Sequence, residues 1–327
     1  MSRNRSETFI TCQIPECEYY LTFEGRNIVK NGHNSAGNQQ LLCKNCGKYF
    51  SETKNTPFYR SRLPKSTVEL LFRLLIEKIP IRGIFRALNL HIHTVLRYLI
   101  IIGKHAELIN KYYLNKIAIG DIELDEIWEF IFKKEKNLDN FDDEVYGDYW
   151  VYTAVKRDSK VLIAFKGGKR TLENCKAVMD LVFERVELPS AKNPIRFFSD
   201  GNVSYIETIA SLYCEPCVQY GQIIKEKENN RISRILKKVI FGEPEHSEIS
   251  TSIVESLNNK IRQKMSRFGR KADSFSKTEE GMEAALSTFQ FVTNFMDTKE
   301  GKTPMMIEGI TDKSWDATMF LNYHYQF

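Results

Sequence analysis

Hydrophobic and polar positions follow a helical period in the first third of the chain. Within residues 66–102, apolar side chains recur three or four positions apart, which is typical of helices that pack one face against a core. Pro80 interrupts this pattern, and Asn89 interrupts it again. The pattern therefore predicts three short helices, of which the last two span residues 81–88 and 91–102.

The first of these helices is predicted to begin with a capping box, because Ser66 precedes Glu69 by three positions ahead of a leucine-rich run. Short helices joined by a tight turn are typical of a helix-turn-helix, whose second helix enters the major groove of DNA. An ordinary three-helix linker has the same pattern, so both interpretations stay open here. The candidate DNA contacts on the polar side of that second helix are His91, His93, Thr94 and Arg97.

From residue 120 onward the pattern changes to strands that alternate with longer helices. Three consecutive strands are predicted, and they are followed by a helix, a short buried strand and two further helices. This order matches an RNase H-like domain, and the fold class predicted for the whole chain is mixed α/β. The predicted strands span 122–131, 149–155, 161–165 and 195–198, and the helices span 171–186, 203–212 and 252–265.

Four of the seven cysteines form two close pairs near the start of the sequence, Cys12 with Cys17 and Cys43 with Cys46. The chain begins with polar residues and has no long apolar run, so we expect an intracellular protein that stays with the DNA and no membrane partner. In a reducing compartment, such pairs indicate metal ligands rather than disulfides. The sequence predicts a zinc ribbon in which four thiolates bind a structural Zn²⁺, and four unligated cysteines in a small core are the alternative.

Three acidic residues lie where an RNase H-like fold brings carboxylates together. Asp125 is on the first predicted strand, Asp200 follows the fourth, and Glu255 is on the last helix. Phosphodiester cleavage requires an activated attacking oxygen and a stabilised leaving oxygen, and two divalent ions about 4 Å apart can provide both. Because Mg²⁺ and Mn²⁺ prefer oxygen ligands, the three residues are predicted to be catalytic and to bind two such ions.

Each acid also has a structural alternative. Asp125 lies in an acidic stretch, so a neighbouring residue could be the ligand. Asp200 precedes Gly201, and Asp-Gly is a common turn pair. Glu255 follows Ser252 at capping-box spacing, so it could serve as a helix cap.

The net charge of +5 is only mildly basic, so the distribution of charge is more informative than its sum. Residues 260–271, just after the last predicted acid, include six basic residues and no acidic one. Such a run can be a solvated helix face, but beside the acids it is predicted to bind DNA phosphates. The candidate contacts in this region are Asn258, Lys260, Arg262, Lys264, Arg267, Arg270 and Lys271.

The motifs around the three acids resemble those of the IS-one family of insertion-sequence transposases, and the resemblance extends along nearly the whole chain. Two departures are the serine at position 256, where the family usually has arginine, and the wide spacing of the first cysteine pair. The matching segments are ELDEIW at 123–128, FSDG at 198–201 with Tyr205, STSIVESLN at 250–258 with its basic continuation, KTPMM at 302–306 and GITD at 309–312 with Trp315.

The resemblance implies a DNA transposase that binds the terminal inverted repeats of its element and joins a freed 3′-hydroxyl to target DNA. Because two DNA ends must be held together, it also implies a homodimer or higher oligomer. A catalytically inactive DNA-binding protein derived from a transposase and an RNase H-like nuclease are the alternatives. The predicted domains are a zinc ribbon at 1–60, a helix-turn-helix at 61–115, a catalytic domain of the DDE type at 116–298 and a tail at 299–327.

Overall fold

A computed structural model describes residues 10–22, 27–35, 37–228, 231–269 and 273–324. Two of the predicted DNA contacts, Arg270 and Lys271, lie outside the described residues. Within the described ranges, the helices are all too short or too polar to cross a membrane.

The amino-terminal part forms a small antiparallel sheet in the order β1-β2-β3. Ile28, Leu41 and Phe50 contribute to a small hydrophobic cluster that also contains cysteine side chains. Gly47 adopts a positive φ of 69° in the turn before β3, a conformation that glycine tolerates without steric cost. The strands are β1 (Ile28–His33), β2 (Gln39–Cys43) and β3 (Tyr49–Ser51).

Three helices follow, α1 (Lys65–Ile76), α2 (Ile81–Leu88) and α3 (Ile92–Tyr113). The predicted capping box is wrong, because α1 begins directly after Pro64 and has no side-chain cap. Asn89 ends α2 in the left-handed conformation, with φ of 50°, as its position between two helices suggested.

The third helix is much longer than predicted. It has 22 residues and continues past 102 to Tyr113, because its second half packs into the core through residues such as Ala106 and Ile109. At Gly103 it approaches another helix so closely that an added Cβ would lie 2.4 Å from the Cα of Ala284. A helical glycine here permits contact between two backbones, a constraint that the hydrophobic period does not report.

The large sheet has six strands in the order β6-β5-β4-β7-β8-β9. β4 is antiparallel to β5 and parallel to β7, and β8 is parallel to β7. Counted within the sheet, the first five strands have the order 3-2-1-4-5, so the core is an RNase H-like sheet and the fold is mixed α/β, as predicted. The strands are β4 (Asp121–Ile131), β5 (Gly147–Lys156), β6 (Leu162–Gly168), β7 (Ile195–Asp200), β8 (Val218–Glu228) and β9 (Arg231–Phe241).

Helices cover both faces of this sheet. Alternate residues of β4 point to opposite faces, so Leu124 packs with the cluster of α4 and α5 whereas Ile127 packs with α6 and α7. The first cluster continues from α1, α2 and α3 to the carboxyl-terminal helices without interruption. The remaining α-helices are α4 (Leu172–Arg185), α5 (Ser204–Leu212), α6 (Ser252–Lys264), α7 (Glu279–Phe291), α8 (Pro304–Ile307) and α9 (Ala317–Asn322).

Candidate metal centres and nucleic-acid interface

The four amino-terminal cysteines converge on one point. Their sulfur atoms all lie within 4.8 Å of one another. The Sγ atoms of Cys12 and Cys46 are 3.9 Å apart, and those of Cys17 and Cys43 are 3.8 Å apart. These distances are too long for a disulfide, whose S–S bond is about 2.05 Å.

The spacing of the sulfurs fits a tetrahedral zinc. With Zn–S bonds of about 2.3 Å, the sulfurs of a Cys₄ site lie about 3.8 Å apart. The side-chain amide of Asn27 donates to Cys43 Sγ at 3.3 Å, and that of Asn45 donates to Cys17 Sγ at 3.7 Å. Such donors stabilise the negative charge of a ligating thiolate, so the residues present can hold Zn²⁺.

The second candidate centre lies where two parallel strands run side by side. Leu124 and Ser199 are paired across β4 and β7, so the residues that follow them, Asp125 and Asp200, emerge next to each other. Carboxylate oxygens of Asp125, Asp200 and also Glu126 lie within 4.8 Å of one another. Two of the three predicted acids, which are far apart in the chain, are therefore adjacent in the fold.

Asp125 is held by two hydrogen bonds. Its Oδ1 accepts from the backbone N–H of Glu126 at 2.8 Å, and its Oδ2 accepts from the side-chain amide of Asn258 on α6 at 2.8 Å. Burial raises the pKa of Asp125 to about 7, the hydrogen bond from Glu126 opposes this shift, and the charges of Asp200 and Glu126 add to it. A carboxyl group in this state gains from a cation that neutralises the cluster.

Glu126 was not singled out by the sequence, although the acidic stretch around Asp125 left a neighbour open as a ligand. Its Oε1 accepts from Asn202 at 2.6 Å, and its Oε2 pairs with Arg170 at 3.0 Å. Burial and the charge of Asp200 raise the pKa of Glu126. Asn202 comes just after Asp200, so its contact with Glu126 links β4 to the end of β7.

Glu255 lies outside this group of three carboxylates. Its Oε1 accepts from Lys225 on β8 at 2.6 Å and from Thr251 at 3.1 Å. Glu255 is in the first turn of α6, three residues before Asn258, so the two side chains share a helix face. It does not cap the helix through Ser252, since Thr251 is the N-cap residue of α6 and its side chain accepts no bond from the first turn.

A different glutamate caps α6. The Glu123 carboxylate is fully buried and accepts from the backbone N–H groups of Ile253 and Val254 at 2.8 and 3.0 Å. A negative charge at a helix N-terminus is favourable, and Arg157 balances it with an Nε–Oε1 distance of 2.9 Å. This contact fixes the start of α6 against β4, and thereby sets the positions of Glu255 and Asn258.

The acid cluster of Asp125, Glu126 and Asp200 suits a hard divalent cation. Its ligand atoms are carboxylate oxygens, which Mg²⁺ and Mn²⁺ prefer, and burial together with mutual repulsion disfavours the metal-free ionised state. The residues present could therefore hold Mg²⁺. Glu255 lies one helical turn from Asn258, which already contacts Asp125.

The predicted contacts on α3 lie together at its amino-terminal end. His91, His93 and Arg97 are exposed, and Thr94 is half-buried. His91 is the N-cap residue, and its ring stacks on that of His93 with centroids 5.1 Å apart. These four residues form one polar surface, and their role in DNA binding stays a prediction.

The predicted contacts on and after α6 divide into several environments. Asn258 bonds to Asp125, and Lys260 pairs with Asp297 at 2.9 Å. The Arg267 guanidinium donates to Ser276 Oγ at 2.6 Å and also to a backbone carbonyl, so it serves the packing of the protein. Among the other predicted basic contacts that the structure describes, Arg262 and Lys264 are half-buried on α6.

The chain has a weak structural likeness to solved transposase complexes. No protein family and no curated protein matches the chain. A pre-cleavage Mos1 transpososome is similar in structure, with 11% identity, a TM-score of 0.22, and coverage of 71% of this chain and 80% of that chain. A Mos1 strand transfer complex has 10% identity, a TM-score of 0.19, and coverage of 72% and 78%.

Proposed function

We propose that this protein is a DNA transposase of the IS-one type, in which Asp125, Asp200 and Glu255 carry metal-dependent strand cleavage and strand transfer. The observation that supports it most is the meeting of Asp125 and Asp200 on two neighbouring parallel strands of an RNase H-like sheet. Divalent ions bound there would activate the attacking oxygen and stabilise the leaving oxygen.

The protein's own residues would prepare this site. Asn258 orients Asp125, and Asn202 holds Glu126 beside Asp200. Glu255, once released from Lys225, would help Asp125 and Asp200 to hold the metal ions. Lys225 is then free to contact a phosphate, which keeps the local charge balanced.

The amino-terminal parts would recognise the element's ends. The Cys₄ cluster would hold Zn²⁺ and stabilise a ribbon, and the exposed polar surface of α3 would enter a major groove. A dimer or higher oligomer would hold two ends together.

The test is cleavage of a duplex that carries the sequences flanking the gene, with supercoiled plasmid as target and Mg²⁺ present. The wild-type protein should nick the duplex at its end and join it to the plasmid. Asp200→Asn should lower the rate on the order of 10³-fold, because it removes several kcal/mol of transition-state stabilisation.

Glu184→Gln is a matched control, because Glu184 is exposed on α4 and is not one of the converging carboxylates. It should leave both reactions unchanged. Cutting without joined product would favour a nuclease, and DNA binding without metal-dependent cutting would favour an inactive DNA-binding protein. Either result would contradict the proposal.

A further inference from the structure

A cleft opens beside β4, past the point where its pairing with β7 ends. β4 pairs with β7 only from Asp121 to Leu124, whereas it pairs with β5 as far as Ile131. The cleft has a volume of about 760 Å³, which is within the range of sites that hold small molecules. Its lining includes Trp128, Glu129, Phe130, Phe132, Lys134 and Phe275.

Aromatic rings form one side of the cleft. The ring centroids of Phe130 and Phe275 are 4.6 Å apart, and those of Trp128 and Phe130 are 6.1 Å apart. Trp128 and Phe275 are only half-buried, and the Lys277 ammonium lies 3.3 Å from the centre of the Phe275 ring, so Trp128 offers the more accessible ring face. Rings of this kind stack on the bases of single-stranded nucleic acids.

Cations border the rings. Lys134 and Lys136 are exposed, and in the part of the chain that the structure describes neither forms an ion pair, whereas Lys133 pairs with Asp142 at 2.8 Å. The Lys134 ammonium lies 5.5 Å from the centre of the Phe130 ring. Cations beside aromatic rings suit a ligand that has both a phosphate and a planar base.

An acid lies in the wall of the same cleft. Glu129 is 5% exposed and accepts from the backbone N–H of Phe130 at 3.2 Å. Glu129 is four residues after Asp125 on the same strand face, about 13 Å away at about 3.3 Å per residue, which a few nucleotides can span.

We propose that this cleft binds an unpaired nucleobase of a DNA strand, with the ring of Trp128 against the base, Phe275 in the wall beside it and Lys134 near its phosphate. The inference rests on the proposed function, because it assumes that the strand continues to the acid cluster. It adds a single-strand site to a protein otherwise expected to bind duplex DNA.

The test measures binding of a short fluorescent oligonucleotide of mixed sequence to the full chain in EDTA, so that metal chemistry does not contribute. Trp128→Ala and Phe275→Ala should each weaken single-strand binding by about 10-fold and leave duplex binding little changed. Phe141→Ala is the control, because Phe141 is 99% exposed and does not line the cleft.

Thermal unfolding of each variant shows whether it is folded, and Lys134→Ala provides a second test because Lys134 is exposed. For this variant, the slope of the logarithm of the single-strand binding constant against the logarithm of salt concentration should be smaller by about 1. Unchanged binding in both ring variants, or equal losses for single-strand and duplex DNA, would overturn the proposal. Asp200→Asn should keep this binding, so a failed cleavage assay and a failed cleft assay are distinguishable.

Discussion

The two candidate metal centres differ in how complete they are without a metal. The four sulfurs of the amino-terminal cluster already have tetrahedral spacing, whereas Glu255 stays with Lys225, apart from Asp125 and Asp200. Burial raises the pKa of Cys12 and Cys43, so these two thiols stay neutral and can approach the other sulfurs at little cost. Ionised carboxylates repel one another, so each further carboxylate in a cluster needs a metal cation or a lysine to balance its negative charge.

The largest effect is expected at the sulfur cluster. Cys43→Ser should remove zinc and unfold the β1–β3 sheet, because structural zinc contributes about 10–16 kcal/mol to the folding of small modules. Zinc content by mass spectrometry and limited proteolysis would measure this. Cys214→Ser, which changes an exposed cysteine outside the cluster, should retain zinc. Equal zinc loss in both variants would count against the site.

The packing of α3 against the carboxyl-terminal helices depends on burial rather than on a metal site, and pH can test it. His105 on α3 is buried, its Nε2 donates to the Phe320 carbonyl at 2.8 Å, and burial lowers its pKa to about 4. The unfolded chain binds the proton more tightly, so stability is full above about pH 6.5 and falls as the pH drops toward about 4, by about 3 kcal/mol. Denaturant unfolding across this pH window should show that the free energy of unfolding declines less in His105→Gln than in the wild-type protein.

Magnesium should stabilise the folded protein through the acid cluster. At a Mg²⁺ concentration of about 100 times its Kd, the free energy of unfolding should rise by about 2.7 kcal/mol, which thermal unfolding can detect. Asp200→Asn should lose most of this gain, because it removes one of the converging carboxylates. An equal gain in the variant would place the metal elsewhere.

The smallest effect is expected at the ion pair between Lys225 and Glu255, which competes with metal binding by Glu255. Lys225→Met should raise magnesium affinity by up to about 5-fold, because an exposed ion pair is worth less than about 1 kcal/mol. Lys237→Met is the control, since Lys237 Nζ donates to the His246 carbonyl instead. The gain should vanish when Glu255→Gln is added, and calorimetric titration would measure both affinities.

Much of the core could be predicted because its signals are local. β4 to β7 and α4 to α6 lie within a few residues of their predicted positions, since alternation and helical period report one buried face. The β8–β9 hairpin and α7 were not predicted. The hairpin is rich in lysine and arginine and partly exposed, so its apolar alternation is weak.

The sequence alone determined the ligand types: four cysteines in two close pairs, and acids in strand and helix positions. Only the tertiary structure decided which side chains meet. It brought Glu126 beside Asp125 and Asp200, assigned the cap of α6 to Glu123, and paired Glu255 with Lys225. Contacts between distant segments depend on strand register and helix packing, which no local pattern encodes.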